Sequence, residues 1–215
     1  MYNQLTSELK QSNTILVAVS KTKPARAIQE LYDKGQRIFG ENRVQELQEK
    51  SAVLPEDIEW HFIGTLQRKK VKHVVPIAAL IHSVDSISLL EKIEKEASKI
   101  DRTIDILLQF YIATESSKQG FDLEESLQEL EEVISKLEYT NVCGVMGMAS
   151  FVNDQEQITS EFKQLKSIFD TLKANHFSEK EDFKIISMGM SGDYKIAIKE
   201  GSNMVRIGSL LFGAR

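Results

Sequence analysis

The sequence predicts an α/β fold, a (β/α)8 TIM barrel of parallel strands. Eight short apolar runs punctuate the 215 residues: Ile15–Ser20, Arg37–Gly40, Glu59–Gly64, Ala79–Val84, Ile104–Ile112, Val142–Met148, Phe183–Met188 and Met204–Gly208. Amphipathic stretches with a helical period of about 3.6 residues fill the gaps. The turn after the first run is Lys21-Thr22-Lys23-Pro24, with no glycine-rich dinucleotide fingerprint, which weakens the competing doubly wound open sheet. Eight strand–helix units in this length favour a closed barrel.

Ile15–Ser20 is apolar, rich in β-branched residues and stopped by Pro24, the signature of a buried strand. Ile28, Leu31 and Tyr32 then share one helix face. Asp85-Ser86 and Asp122 offer N-cap chemistry for the helices that follow them. Leu123, Leu127, Leu130, Val133, Ile134 and Leu137 form a stripe after the fifth strand. Ile158, Phe162, Leu165, Phe169 and Leu172 form another after the sixth. The polar segment Asn175–Asp182 reads as a surface loop. With no linker, repeat or low-complexity segment, residues 1–215 read as a single domain.

The net charge is −5, with both signs mixed along the chain, so nothing points to nucleic-acid binding. Arg68-Lys69-Lys70-Val71-Lys72-His73 reads as a solvated helix face. The single cysteine, Cys143, excludes an internal disulfide and fits a reducing compartment; its apolar neighbours make it a small core residue. The segment from Met1 to Asn13 is polar and lacks an apolar signal region, and no segment approaches membrane-spanning length. The expectation is a cytoplasmic protein with no membrane partner. It is monomeric on this reading, because no exposed apolar helix stripe is evident. No metal site is expected.

In such a barrel the C-terminal strand ends carry the chemistry. Side chains alternate along a strand, so if Val17 and Val19 face inward, Lys21 points into the barrel mouth. Desolvation there lowers an amine's pKa, and a neutral amine attacks a carbonyl to form a Schiff base. After the seventh strand, Ser187-Met188-Gly189-Met190-Ser191-Gly192-Asp193 leads to a helix near Tyr194. Gly189 and Gly192 let backbone approach an anion, and Ser191 adds a hydroxyl. After the eighth, Gly208 and Ser209 supply further donors, at the two strand ends where barrels often bind phosphate. Arg206 shares a strand face with Met204 and Gly208; inside a barrel it needs an acceptor, which a ligand heteroatom would provide. A lysine, a phosphate cradle and an interior arginine on one rim point to pyridoxal 5′-phosphate, PLP.

Several segments carry a resemblance: Ala18-Val19-Ser20-Lys21-Thr22-Lys23-Pro24, Phe39-Gly40-Glu41-Asn42-Arg43-Val44-Gln45-Glu46 and Trp60-His61-Phe62-Ile63-Gly64-Thr65-Leu66-Gln67. With them go His82-Ser83-Val84-Asp85, Ser187-Met188-Gly189-Met190-Ser191, Val205-Arg206-Ile207-Gly208 and Phe212-Gly213-Ala214-Arg215. Together they resemble the pyridoxal-phosphate homeostasis protein family, a single-domain relative of the alanine racemase N-terminal barrel. The resemblance implies that Lys21 carries PLP as an internal aldimine. It places Asn42 beside the cofactor, Met190 among the cofactor-binding residues, Ser191, Gly208 and Ser209 on the phosphate, and Arg206 at the pyridine nitrogen. His61 lies in a family motif, as a core histidine or as a cofactor contact; His82 reads as structural. Two departures touch none of these positions: Arg43 replaces an aromatic residue common among relatives, and the lead before the first strand is short.

An arginine at the pyridine nitrogen disfavours its protonation, so the ring becomes a weak electron sink. Racemisation needs acid–base groups on both faces of the substrate carbon. In alanine racemase the second is a tyrosine from an added domain, for which this chain has no room after its eighth strand; Tyr111 or Tyr194 would have to substitute. The expectation is therefore a non-catalytic PLP-binding protein of intracellular PLP (vitamin B6) homeostasis, with PLP-dependent apoenzymes as possible recipients. The alternative is a small amino-acid racemase.

Overall fold

The apolar residues of β1 (Ile15–Val19), all buried except Ile15, form the first stave of a closed parallel barrel. The other staves are β2 (Ile38–Glu41), β3 (Glu59–Phe62), β4 (Leu80–Val84), β5 (Ile104–Gln109), β6 (Thr140–Met146), β7 (Ile185–Ser187) and β8 (Met204–Ile207), each beside its chain neighbour. β8 closes on β1 with Val17 opposite Arg206. The computed structural model describes residues 1–113 and 119–213.

The helices are α1 (Tyr2–Gln11), α2 (Ala25–Tyr32), α3 (Val44–Ser51), α4 (Val71–Val74), α5 (Ile87–Ser98), α6 (Leu123–Ile134), α7 (Gln155–Asn175), α8 (Tyr194–Lys199) and α9 (Ser209–Phe212). Their apolar stripes pack against the outward strand residues Ala18, Phe39, Trp60, Ile81, Ile106, Val145 and Ile186 in one core. The inward residues form a separate cluster, Val17, Leu80, Leu107, Cys143, Met146 and Met204. Cys143 is buried inside the barrel, and burial pushes its thiol up to about 12.

All eight predicted strands are present; most are shorter than the predicted runs, but β2 ends one residue later, at Glu41, and β6 begins two residues earlier, at Thr140. Phe183 lies outside β7, because its ring stacks on Phe177 at 4.1 Å. The surface loop after α7 therefore carries a buried aromatic, Phe177. Asp122 caps α6 by accepting from Glu124 N–H and Glu125 N–H. Ser86 occupies the N-cap position of α5, but its hydroxyl goes to Asp85 Oδ1 instead. Helix α1 arises from a segment with only two buried leucines: Leu5 and Leu9 pack on Leu16, Val205 and Ile207, across the β1–β8 seam.

Register shifts interrupt the β4–β5 and β5–β6 ladders. At the second, Val142 pairs with Ile106 but Gly144 with Leu107, which turns Val145 outward and Met146 inward. A Cβ at Gly144 would lie 1.9 Å from the Ile185 carbonyl oxygen. Gly144→Ala is therefore expected to destabilise the fold by roughly 3 kcal/mol, an overpacking cost, measured as a lower urea midpoint. An unchanged midpoint would show that the β6–β7 seam can part without cost.

Candidate functional site

Alternation stacks the barrel interior in layers toward the mouth. On β1 the inward series is Val17, Val19, Lys21; on β8 it is Met204, Arg206, Gly208; on β7 it is Ile185, Ser187, Gly189. The apolar layer is lowest, a polar layer follows, and an open cleft of about 420 Å³ tops the stack.

Lys21, Met190, Ser191, Gly208 and Ser209, singled out from the sequence, all line that cleft. Gly208 N–H donates to Ser191 Oγ at 3.3 Å, joining the two glycine loops. Gly189 has φ +96, and a Cβ there would lie 2.6 Å from Ala197 Cβ, so only glycine lets α8 approach this closely. The Met190 loop is closed by Asp193 Oδ1, which accepts from Met190 N–H at 2.5 Å. Asp193 also lines the cleft; burial raises its pKa, while the Met190 N–H and the Arg206 charge pull it down. Lys23 shares the lining, but its ammonium is held by the Phe212 and Gly213 carbonyls at 3.1 and 3.4 Å.

Asn42 and Arg206 sit beside the cleft rather than among its lining residues. Asn42 follows β2, and its Oδ1 is buried with no hydrogen-bond partner. Gly64 makes room for it: a Cβ at Gly64 would lie 2.2 Å from the Asn42 carbonyl oxygen. Arg206 is buried in the polar layer and already has protein acceptors. It donates to the Ser187 carbonyl at 2.8 Å, to Ser187 Oγ at 2.7 Å and to the Gly147 carbonyl at 3.0 Å. Those bonds take three of the five donors of a guanidinium. Burial lowers its pKa to about 10, against the pull of Asp193, so it stays charged at neutral pH.

The same layer contains His82 and His61. His82 Nδ1 lies 3.0 Å from Ser187 Oγ, and His82 Nε2 lies 3.0 Å from His61 Nδ1. His61 is thus a hydrogen-bonded core histidine, and His82 is structural. Burial lowers His61 to about 3; burial, then the charges of His61 and Arg206, hold His82 well below the usual range.

Behind the cleft, on the outward side of β1 and β2, lies a polar cluster to which the sequence reading gave no role. Lys50 Nζ donates to the Ser20 carbonyl at 2.9 Å, to Glu41 Oε1 at 2.7 Å and to Glu46 Oε2 at 2.9 Å. Ser20 Oγ also donates to Glu41 Oε1, and Thr22 N–H to Glu46 Oε2. Burial raises the Glu41 pKa against its Lys50 and Ser20 hydrogen bonds. Burial also opposes the Glu46 charge, yet the Lys50 and Thr22 hydrogen bonds hold its carboxyl below the usual range. Glu46 and Lys50 stand four apart, the one sequence signal that this pair exists.

Neither tyrosine singled out from the sequence lines the cleft. The Tyr194 hydroxyl lies 3.3 Å from a Glu8 carboxylate oxygen on α1. Tyr111 lines a separate cavity with Asp85, Gly120 and Phe121.

This barrel, with a lysine at the first strand end and glycine loops after the last two, defines a class. The family model "Alanine racemase, N-terminal domain" matches residues 2–215. Within that class, the pyridoxal phosphate homeostasis protein of Aquifex aeolicus (strain VF5) is 39% identical over 201 residues, covering 93% of this chain and 86% of the relative. The structure of PipY from Synechococcus elongatus PCC7942 without PLP matches with a TM-score of 0.90 and 35% identity, covering 98% of this chain and 99% of PipY. PipY with PLP bound matches with a TM-score of 0.84 and 34% identity, over 98% of this chain and 99% of PipY. The chain belongs to the pyridoxal phosphate homeostasis protein family. Among the described residues no helix is long and apolar enough to cross a membrane, and no cluster of three or more His, Cys, Asp or Glu could hold a metal.

The two histidines set a pH dependence. Both are neutral when folded and gain a proton when unfolded, so stability falls as pH drops from the ordinary value of 6.5 toward 3. Between about pH 6.5 and pH 5.5 they should together remove roughly 2 kcal/mol of unfolding free energy. Urea titrations at both pH values measure this, and His61→Asn should remove about half of the pH-dependent part. An identical pH dependence in His61→Asn would contradict the assignment.

Proposed function

We propose that this protein holds PLP at its barrel mouth, with Lys21 as the covalent anchor, and acts in intracellular PLP homeostasis without catalytic turnover of its own. One observation carries the reading: Lys21, Ser191, Gly208 and Ser209, contributed by three separate strand ends, meet in one cleft. PipY, alike over nearly its whole length, has been solved with PLP bound.

The donor set fits the group. Ser191 and Ser209 present neutral donors suited to a phosphate, Gly208 N–H orients the Ser191 hydroxyl, and Lys23 adds positive charge at the same rim. A Cβ at Gly208 would press on Val19 at 3.3 Å, so glycine keeps this wall open. Asn42 brings a buried oxygen that lacks a partner, and we assign it to the cofactor ring. Bound PLP supplies an aldehyde, with which a lysine amine condenses as one water leaves. Lys21, at the mouth end of the inward series of β1, brings the amine. Arg206 keeps a fixed positive charge beneath the cleft and so disfavours a proton on the pyridine nitrogen.

The Tyr194 hydroxyl faces Glu8, and Tyr111 lines another cavity, which supports carriage over racemisation. The cleft is open at its rim, as exchange with PLP-dependent apoenzymes would require. We place the protein in the cytoplasm, where a buried, unreactive thiol at Cys143 is stable.

The purified protein should bind added PLP with a visible absorbance band, and borohydride should fix a pyridoxyl group on Lys21, located by peptide mass mapping. Lys21→Ala should lose both signals. A colourless wild type, or a label mainly on another lysine, would refute the anchor. Stereospecific turnover of an L-amino acid at a useful rate would refute the carrier reading. Ser191→Ala should weaken PLP binding by about tenfold, the cost of one lost hydrogen bond to a charged group, read by absorbance titration.

A further inference from the structure

Lys21 occupies the second position of a tight turn. Lys23 N–H donates to the Ser20 carbonyl at 3.0 Å, and Thr22 has φ +65. That left-handed conformation is one a β-branched residue resists, so something must hold it. The holding groups flank Lys21 on both sides. Ser20 is tied to Glu41 and Thr22 to Glu46, by 2.6 and 2.7 Å hydrogen bonds. One ammonium joins the two carboxylates: Lys50 spends its three N–H donors on Glu41, Glu46 and the Ser20 carbonyl. The Lys50 side chain is 9% exposed and that of Glu41 0%. Burying such a cluster costs solvation that an apolar cluster of the same shape would not, which marks it as a device for geometry.

We propose that Lys50 is a positioning residue: through Glu41 and Glu46 it clamps the Ser20–Lys23 turn and fixes where the Lys21 amine meets an aldehyde. None of the three lines the cleft, so each acts through Lys21. The inference rests on Lys21 being the PLP anchor.

The test compares wild type with Lys50→Met and Glu46→Gln, using added PLP as the probe. Far-UV circular dichroism and urea unfolding report the fold. PLP affinity, the borohydride-labelled lysine and the pH midpoint of the visible band report positioning. Folded Lys50→Met should bind PLP at least about tenfold more weakly, with a shifted midpoint and with label lost from Lys21 and gained at Lys23. If Lys50→Met fails to fold, Glu46→Gln decides. It keeps the Lys50–Glu41 pair, removes the charge that Thr22 N–H faces, and should show the same changes in smaller measure. A folded variant that matches wild type in affinity, labelled lysine and midpoint overturns the clamp while leaving the anchor intact. Absence of Lys21 label in wild type overturns the anchor itself, and the clamp with it.

Discussion

The closure of β8 on β1 is the constraint on which the site depends. The β1–β8 pairing sets Val17 opposite Arg206 and Ala18 opposite Ile207. Continued toward the mouth, that register brings the turn at Lys21 beside Gly208 and Ser209, from opposite ends of the chain. Gly208 stands close enough to Val19 that a side chain there would crowd it. Helix α1 seals the same seam from outside through Leu5 and Leu9. Because the contacts are so distant in sequence, the cleft cannot exist before the last strand docks, and it belongs to the most non-local part of the fold.

Beneath the cleft the barrel departs from the apolar filling usual for such interiors. A charged guanidinium and two neutral imidazoles occupy the layer where Val, Ile or Leu would serve stability better. The layer is linked internally: Arg206 donates to Ser187, whose hydroxyl is shared with His82, which pairs with His61. Such a network is rigid because every lost bond would strand a buried polar group. Three protein hydrogen bonds therefore fix the positive charge under the cleft. The bulges in β4 and β6 belong to the same design, because they reset which residues face inward near this layer.

Much of this was legible in the sequence because strand alternation is a two-residue code. Val17, Val19 and Lys21 could be placed on one face without knowing any partner, and so could Met204, Arg206 and Gly208. The glycines after the last two strands marked the loops for the same reason. What escaped was set by tertiary context. Lys50 looks like any lysine on a polar helix, and its four-residue spacing from Glu46 matches that of the partly exposed Lys92–Glu96 pair. What differs is the lysine: packing of α3 against β2 and β3 leaves the Lys50 side chain 9% exposed, against 28% for Lys92. The protein acceptors of Arg206 were hidden too, since a backbone carbonyl has no sequence signature. Helix α1 was missed because two leucines four apart are too few to register as a stripe.

The two polar clusters divide the work around one lysine. The outward cluster of Lys50, Glu41 and Glu46 controls the backbone on either side of Lys21, whereas the inward layer controls the charge beneath the cleft. In the proposed reading these demands pull the same way. An anchor that holds a reactive aldehyde needs its amine in a fixed place, and a floor of fixed positive charge keeps the bound ring from acting as an electron sink. A catalyst of proton transfer would need a further acid–base group across the cleft from Lys21. The tyrosine nearest in sequence to the phosphate loops, Tyr194, instead points its hydroxyl toward α1 and packs its ring into the β1–β8 seam. Tyr194 thus serves to close the barrel, and in the proposed reading the site is built for retention.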